Sequence, residues 1–140
     1  MNTAFGAVVA LLHEYFDGLY HGDTARLARV FHPQAMYACA SSGTLVQWSM
    51  AEYFPVVDKR VSPASLGQAR EDHIVSIAFA GPVTAIATVR CTVAARRFTD
   101  LLTCVRLDGR WSILAKVFHA EEAVGRIETG AGRPLEGRGN

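Results

Sequence analysis

The sequence carries little charge and no marked excess of either sign. Only 19% of its 140 residues are Asp, Glu, Lys or Arg, and the formal net charge is +1. A surface that binds nucleic acid or an anionic membrane normally shows a dense basic patch. We therefore predict neither partner. Because half of the residues are hydrophobic, the chain is expected to bury a substantial core.

Cysteine is scarce, and long apolar stretches are missing. Cys39, Cys91 and Cys104 are odd in number and show no C-x-x-C spacing, which favours reduced, buried thiols in a cytoplasmic protein. The apolar segment 4–12 has no Lys or Arg before it and no small-residue cleavage site after it. It is far shorter than the roughly twenty residues that span a membrane. We interpret it as the start of a helix.

The common metal and cofactor motifs are also missing. The five histidines show no H-x-H, H-x-x-x-H or H-E-x-x-H spacing. There is no G-x-G-x-x-G, no P-loop and no nucleophile elbow. We therefore predict no metal and no nucleotide cofactor.

Two helices are predicted at the start of the chain. Apolar residues recur at helical spacing from Phe5 to Leu19 and form one stripe. Gly22 suits the left-handed end of the first helix, and Asp23 suits the N-cap of the second. Pro33 is expected to end the second helix. So short a connection requires the two helices to pack side by side.

A short strand, a third helix and a loop are predicted next. Residues 34–40 are expected to form the strand. Ser49 and Glu52 fit a capping box that opens the helix. Pro55 should kink or end this helix within about two turns. The polar segment 58–69 has no period and is the candidate for a mobile lid.

The second half predicts a four-stranded antiparallel meander. Its strands are expected over 74–80, 83–93, 98–107 and 110–119, and Asp-Gly at 108–109 is a hairpin signal. Residues 121–140 have almost no apolar content and predict a loose tail. The domain is thus expected to span residues 1–120.

The order of elements and four short motifs resemble a known family. The motifs are Tyr-Phe-Asp-Gly-Leu-Tyr-His-Gly-Asp at 15–23, Phe-His-Pro at 31–33, Phe-Thr-Asp-Leu-Leu at 98–102 and Gly-Arg-Trp-Ser-Ile-Leu-Ala-Lys-Val-Phe-His at 109–119. Over about residues 5–120 the chain resembles the nuclear-transport-factor-like superfamily, in its lumazine-binding and polyketide-cyclase-like branch. The resemblance implies an α+β, cystatin-like fold with three N-terminal helices on a curled, mostly antiparallel sheet that encloses a pocket.

The resemblance also implies three site positions. Tyr15 stands where ketosteroid isomerase, a relative in this superfamily, has its oxyanion-hole tyrosine. Cys39 stands where that enzyme has its aspartate base, and Thr103 where it has a protonated aspartic acid. That enzyme needs both acids, so steroid isomerase activity is not expected. Tyr15 is either a hydrogen-bond donor in the pocket or a core aromatic residue, and Cys39 is either a pocket nucleophile or a packing residue.

Asp100 and His119 form a further candidate pair. Both lie far from the turn at 108–109 in adjacent predicted strands, so antiparallel pairing is expected to bring them together. A carboxylate that orients a histidine makes a general base. The alternative is a surface ion pair of little consequence.

Charged residues within the apolar strands bear on the quaternary structure. Alternation is expected to place Lys116 and Arg90 on the solvent side of the sheet, or on a face covered by a second subunit. The last strand is apolar in both phases, at Trp111 and Ile113 as well as at Leu114 and Phe118. Helices over one face and a partner chain over the other explain this, so we predict a homodimer through the outer sheet face.

Three hypotheses for the function remain open. One is an isomerase, cyclase, lyase or hydrolase for a small, partly aromatic substrate, with Tyr15 as donor and Asp100–His119 as base. The others are a non-catalytic binder of a flat heteroaromatic ligand of the lumazine or flavin type, and a structural dimerisation module. The predicted ligand-binding residues, which are largely aromatic as small-molecule sites tend to be, are Phe16, Phe31, Tyr37, Trp48, Tyr53, Phe54, Thr103 and Phe118.

Overall fold

The two predicted N-terminal helices are present. In the computed structural model, which describes residues 3–122, α1 spans Ala4–His21 and α2 spans Thr24–Val30. Gly22 ends α1 in the left-handed region with φ 62°, and Asp23 accepts a hydrogen bond from the Arg26 backbone N–H as the N-cap of α2. Gly18 allows the close packing of the helices, because a Cβ atom there would lie 2.6 Å from Leu27 Cδ2.

Helix α2 ends earlier than predicted. Strand β1 spans Phe31–Cys39 and begins directly after Val30. Pro33 therefore lies inside the strand, and the expected helix end at Pro33 is wrong by three residues. The reason is a long-range one, because Phe31 already pairs with Ile113 of the last strand.

The third helix confirms the capping box. Helix α3 spans Met50–Lys59, the Ser49 hydroxyl accepts from the Glu52 N–H, and the Glu52 carboxylate accepts from the Ser49 N–H. Pro55 lies inside α3, which ends one turn later. A short strand that the sequence did not reveal, β2 at Val46–Ser49, precedes the helix.

All six strands form one sheet. The four strands of the predicted meander are β3 (Asp72–Phe79), β4 (Thr84–Val93), β5 (Arg96–Leu107) and β6 (Arg110–Glu122). The strand order is β2-β1-β6-β5-β4-β3, with β1 parallel to β6 and every other neighbouring pair antiparallel. Residues 3–122 therefore form an α+β fold with three helices and a six-stranded sheet. The predicted tail lies outside the described residues from position 123 onwards.

A β-bulge in β6 explains its two apolar phases. Cys104 lies opposite Ile113 while Thr103 lies opposite Ala115, so Leu114 is the extra residue. Such an insertion moves every following side chain to the other face. Before the bulge Ile113 is buried, and after it the buried positions are Lys116, Phe118 and Ala120. The expectation that Lys116 lies on the solvent side is therefore wrong.

The predicted lid segment is tied to α1. The Ala64 N–H donates to the Tyr20 carbonyl at 3.0 Å, and the Tyr20 hydroxyl donates to the Gln68 carbonyl at 2.5 Å. Arg70 forms ion pairs with Asp17 of α1 and Asp72 of β3. These contacts hold the segment in place. No helix within residues 3–122 is both long and apolar enough to cross a membrane.

Candidate functional site

A buried carboxylate and a tyrosine hydroxyl meet in the protein interior. Asp100 of β5 has no solvent exposure (0%), and the hydroxyl of Tyr15 in α1 donates to its Oδ2 atom at 2.5 Å. The other oxygen, Oδ1, is buried and has no hydrogen-bond partner within the described part of the chain. Buried polar atoms are nearly always paired. An unpaired carboxylate oxygen is therefore a marker of a functional site.

A lysine lies beside this pair. Lys116 of β6 is 4% exposed, and its Nζ atom donates to the Tyr53 hydroxyl at 3.3 Å. The same atom lies 5.2 Å from the ring centroids of Tyr15, Tyr53 and Phe118, and 5.5 Å from that of Tyr37. Aromatic faces at these distances stabilise a cation. The surroundings thus accommodate an ammonium group away from water.

The protonation of the buried groups follows from their surroundings. Burial alone would lower the pKa of Lys116, but Tyr53 and Asp100 outweigh it, so the pKa lies above its ordinary value. Burial, followed by the charge of Asp100, raises the pKa of Tyr15. Burial likewise raises the pKa of Tyr37. At neutral pH the site therefore holds the Lys116 ammonium beside the protonated hydroxyls of Tyr15 and Tyr37.

Lys116 also forms part of the wall of a narrow pocket. The pocket is lined by Leu19, Tyr37, Tyr53, Arg60, Cys91, Val93, Phe98 and Lys116. The volume open to the centre of a water molecule is about 10 Å³, which is room for about one water. Lys116 connects this pocket to Tyr15 and Asp100, because its Nζ atom contacts the Tyr15 ring. A larger ligand requires the pocket to widen.

The expected Asp100–His119 pair does not form. Asp100 lies opposite Phe118, while His119 lies opposite Thr99, so the two side chains project from opposite faces of the sheet. His119 is 64% exposed, with its Nδ1 atom 3.2 Å from the Ser41 hydroxyl and its Nε2 atom 3.8 Å from Glu121. The prediction of this pair was wrong. The sequence predicted that the two strands are adjacent, but it did not determine their register to within one residue, which decides the face on which each side chain lies.

Thr103 and Cys39 also stand apart from the pocket. Thr103 alternates with the buried Leu102 and Cys104, so it lies on the outer face, contrary to its expected place among the ligand-binding residues. Cys39 is buried and lies opposite Phe118 in the sheet, but it does not line the pocket. The acid beside Tyr15 is therefore Asp100, three positions before Thr103.

The predicted aromatic residues form one connected cluster. Tyr37 stacks on Trp48 with ring centroids 4.8 Å apart and an interplanar angle of 14°. Phe31 makes edge contacts with Tyr15, Tyr53 and Phe54. Phe118 contacts Tyr37, and Phe16 contacts Tyr15. Of the predicted ligand-binding residues, Tyr37 and Tyr53 line the pocket, and the other aromatic ones are joined to them through these ring contacts.

Comparison with known proteins identifies the family. Residues 3–119 match the sequence profile of the family described as "Putative lumazine-binding". The chain belongs to this family. A relative named Aldolase FrzH from Cladobotryum sp is 29% identical over 121 residues, which cover 85% of this chain and 93% of that protein.

Several solved structures have the same fold as this protein. An NTF2-like protein of unknown function from Silicibacter pomeroyi is 26% identical with a TM-score of 0.76, over 86% of this chain and 100% of the other. An NTF2-like protein of unknown function from Shewanella baltica is 23% identical with a TM-score of 0.76, over 86% and 98%. A cystatin-like fold protein from Burkholderia xenovorans is 15% identical with a TM-score of 0.65, over 84% and 91%. The nuclear-transport-factor-like and cystatin-like fold is thereby confirmed.

Six of the pocket residues were not predicted, namely Leu19, Arg60, Cys91, Val93, Phe98 and Lys116. A signal for Lys116 was present, because positions 116, 118 and 120 share one face of a strand and Phe118 and Ala120 are apolar. The apolar residues Trp111 and Ile113 are in the opposite phase and indicated the other face. Arg60 and Cys91 gave no signal. Within residues 3–122 no group of three His, Cys, Asp or Glu side chains is placed to hold a metal ion.

Proposed function

We propose that this protein is an acid–base enzyme for a small, partly aromatic carbonyl compound. Its reaction removes a proton next to the carbonyl, as in aldol-type formation or cleavage of a carbon–carbon bond. The observation that carries the proposal is the buried group of Asp100, Tyr15 and Lys116 beside a pocket. The aldolase name of the Cladobotryum relative favours the lyase class among the chemistries that this fold hosts.

Each of the three residues has a role in this reaction. The unpaired Oδ1 atom of Asp100 accepts the proton, while the Tyr15 hydroxyl holds Oδ2 and fixes the carboxylate. The Lys116 ammonium stabilises the negative charge that develops on the enolate oxygen. An imine with lysine requires a neutral amine. Because the pKa of Lys116 is raised, the proposed mechanism uses its charge and forms no imine. Cys39 and His119 have no role in it.

The test is hydrogen–deuterium exchange at the carbon next to a carbonyl, followed by proton NMR in D₂O. Acetone, cyclohexanone, acetophenone and pyruvate serve as probes. We expect exchange above the buffer rate for at least one probe, and a loss of about 10²-fold or more in Asp100→Asn and in Lys116→Met. No lysine adduct is expected after borohydride reduction.

Matched variants separate this chemistry from general damage. Asp108→Asn in the exposed turn, Tyr20→Phe on α1 and Lys59→Met on α3 make the same chemical changes away from the site. They are expected to retain the wild-type exchange rate. An exchange rate that Asp100→Asn and Lys116→Met leave unchanged, or no exchange with any probe, contradicts the proposal.

A second candidate function is non-catalytic binding of a flat heteroaromatic ligand. The name of the family and the stacked pair Tyr37–Trp48 favour it, because a planar ring system binds by stacking on aromatic side chains. A rise in melting temperature with lumazine or flavin mononucleotide, without exchange on any ketone, would support binding alone. Replacement of Trp48 by Ala should then abolish the rise.

The outer sheet face supports the homodimer as a further part of the proposal. Leu101 and Val117 lie opposite each other there and are 43% and 42% exposed, and Ile86 on the neighbouring strand is 41% exposed. Clustered exposed apolar residues on a sheet are typical of interfaces. Light scattering should give a dimer for the wild type and a monomer for Leu101→Arg, while Leu45→Arg in an exposed loop leaves the dimer intact. A monomeric wild type rules this arrangement out.

A further inference from the structure

Two charged residues, Arg60 and Lys116, line the pocket, and Arg60 has no role in the proposed reaction. It follows directly after α3, is half-buried, and lines the same pocket as Lys116. Its charge lowers the pKa values of Tyr37 and Cys91, against the larger effect of burial. The guanidinium group is therefore close to the two pocket walls that these residues form.

Arg26 and Arg70 have carboxylate partners, whereas Arg60 has none among residues 3–122. Arg26 pairs with Glu14 and Asp17, and Arg70 pairs with Asp17 and Asp72. No carboxylate or carbonyl of residues 3–122 bonds to the side chain of Arg60. The N–H donors of this half-buried side chain are therefore available to a ligand in the pocket.

The charges around the pocket do not balance. Lys116 and Arg60 both line it, and the carboxylate that acts on Lys116 is that of Asp100, whose Oδ2 is already bonded to Tyr15. If Asp100 is ionised, one positive charge remains, and if Asp100 is protonated, two remain. In either state a bound anion compensates the remaining positive charge of Lys116 and Arg60. Such charge pairs are strong where the dielectric constant is low.

We propose that Arg60 binds a carboxylate group of the ligand, so that the pocket takes a small aromatic or conjugated carboxylate. A guanidinium group offers parallel N–H donors that match the two oxygens of a carboxylate. The aromatic rings of Tyr37, Tyr53 and Phe98 cover the apolar part. This assignment rests on the pocket of the proposed function, and it names the substrate class for it.

The test compares benzoate with benzamide, which differ in charge and hardly in shape. Isothermal titration on the full chain should show benzoate binding at least tenfold more tightly than benzamide to the wild type. Arg60→Gln should lower benzoate affinity about tenfold, to the level of benzamide, and leave benzamide affinity unchanged. Lys59→Gln, next to it and exposed, is the matched control and should bind benzoate as the wild type does.

Several results overturn this assignment. They are equal affinity for the two compounds, no measurable benzoate binding to the wild type, or unchanged benzoate binding in Arg60→Gln. Tyr15→Phe separates this inference from the proposed chemistry, because it should slow exchange and retain benzoate binding. Selective benzoate binding without any ketone exchange supports the carboxylate site at Arg60 and contradicts the proposed enzymatic function.

Discussion

The two faces of the sheet around the hairpin β5–β6 differ sharply in the burial and the contacts of their charged side chains. On the inner face Asp100 and Lys116 are buried among aromatic rings and contact tyrosine hydroxyls. On the outer face Arg90 and His119 flank Thr99 and lie in solvent. Asp100 and Thr99 are neighbours in the chain. A single residue step therefore separates a candidate catalytic group from a surface position.

The difference shows why burial changes the contribution of a charged group to stability. An exposed contact such as that between His119 and Glu121 contributes little, because water screens it. The interior offers no such screening, so Asp100 and Lys116 depend on each other and on the surrounding hydroxyls. The inner face should consequently respond strongly to substitution, and the outer face weakly.

The largest effect is expected for Lys116→Ala. This substitution leaves the Asp100 carboxylate buried without a nearby cation, so we expect the free energy of unfolding to fall by about 3–5 kcal/mol. Urea unfolding at pH 7 measures the loss. Lys59→Ala on the surface should change it by less than about 0.5 kcal/mol.

The double variant Lys116→Met/Asp100→Leu tests the cause of that loss. Removal of both charges with retention of the side-chain volume should restore most of the lost stability. This variant also gives a reading if Lys116→Ala does not fold. The comparison between the faces breaks down if Lys116→Ala and Lys59→Ala are equally stable.

The second effect concerns the Tyr15 hydroxyl. Tyr15→Phe leaves both oxygens of Asp100 without a hydrogen-bond partner among residues 3–122, which should cost about 2–3 kcal/mol, as for hydrogen bonds to charged groups. Tyr20→Phe on the same helix removes a hydroxyl bonded to the Gln68 carbonyl and should cost about 1 kcal/mol. Equal losses in the two variants would show that the Asp100 bond is an ordinary one.

The architecture could be predicted from local signals. The left-handed Gly22, the capping box at Ser49 and the Asp-Gly turn at 108–109 each act within a few residues, and each is where the sequence placed it. The resemblance of the motifs to a known family then predicted how these elements are arranged in the fold. Strand β2 was missed because Val46–Ser49 is short and gains its conformation from pairing with β1.

The candidate site could be predicted only in part. Tyr15 and Asp100 were selected, but the bond between them joins residues 85 positions apart, and no local pattern encodes it. Lys116 was assigned to the wrong face because the bulge at Leu114 reverses the alternation within β6. Arg60 follows a helix end, where its direction depends on the packing of the whole helix.

A third prediction uses pH to probe the buried thiols. Burial raises the pKa of Cys104 to about 12 from 9.0. Between these values the folded chain keeps a proton that the unfolded chain has released, so stability falls as the pH rises. The contribution of one such group is about 1.4 kcal/mol per pH unit. Cys104→Ala should flatten the loss of unfolding free energy between pH 9 and pH 12 and leave the slope below pH 8 unchanged. An unaltered slope above pH 9 would show that Cys104 is accessible to water.

The smallest effect is expected on the outer face, for His119→Ala. The ring contacts Ser41 and Glu121 at an exposed position, so the free energy of unfolding should change by less than about 0.5 kcal/mol. The backbone supports this expectation, because the Ser41 hydroxyl also accepts from the Ala120 N–H and this bond does not involve the ring. Urea unfolding of His119→Ala beside Tyr15→Phe measures both faces under one condition. A loss in His119→Ala as large as that in Tyr15→Phe would mean that the outer face is covered in solution, which the homodimer through that face would explain.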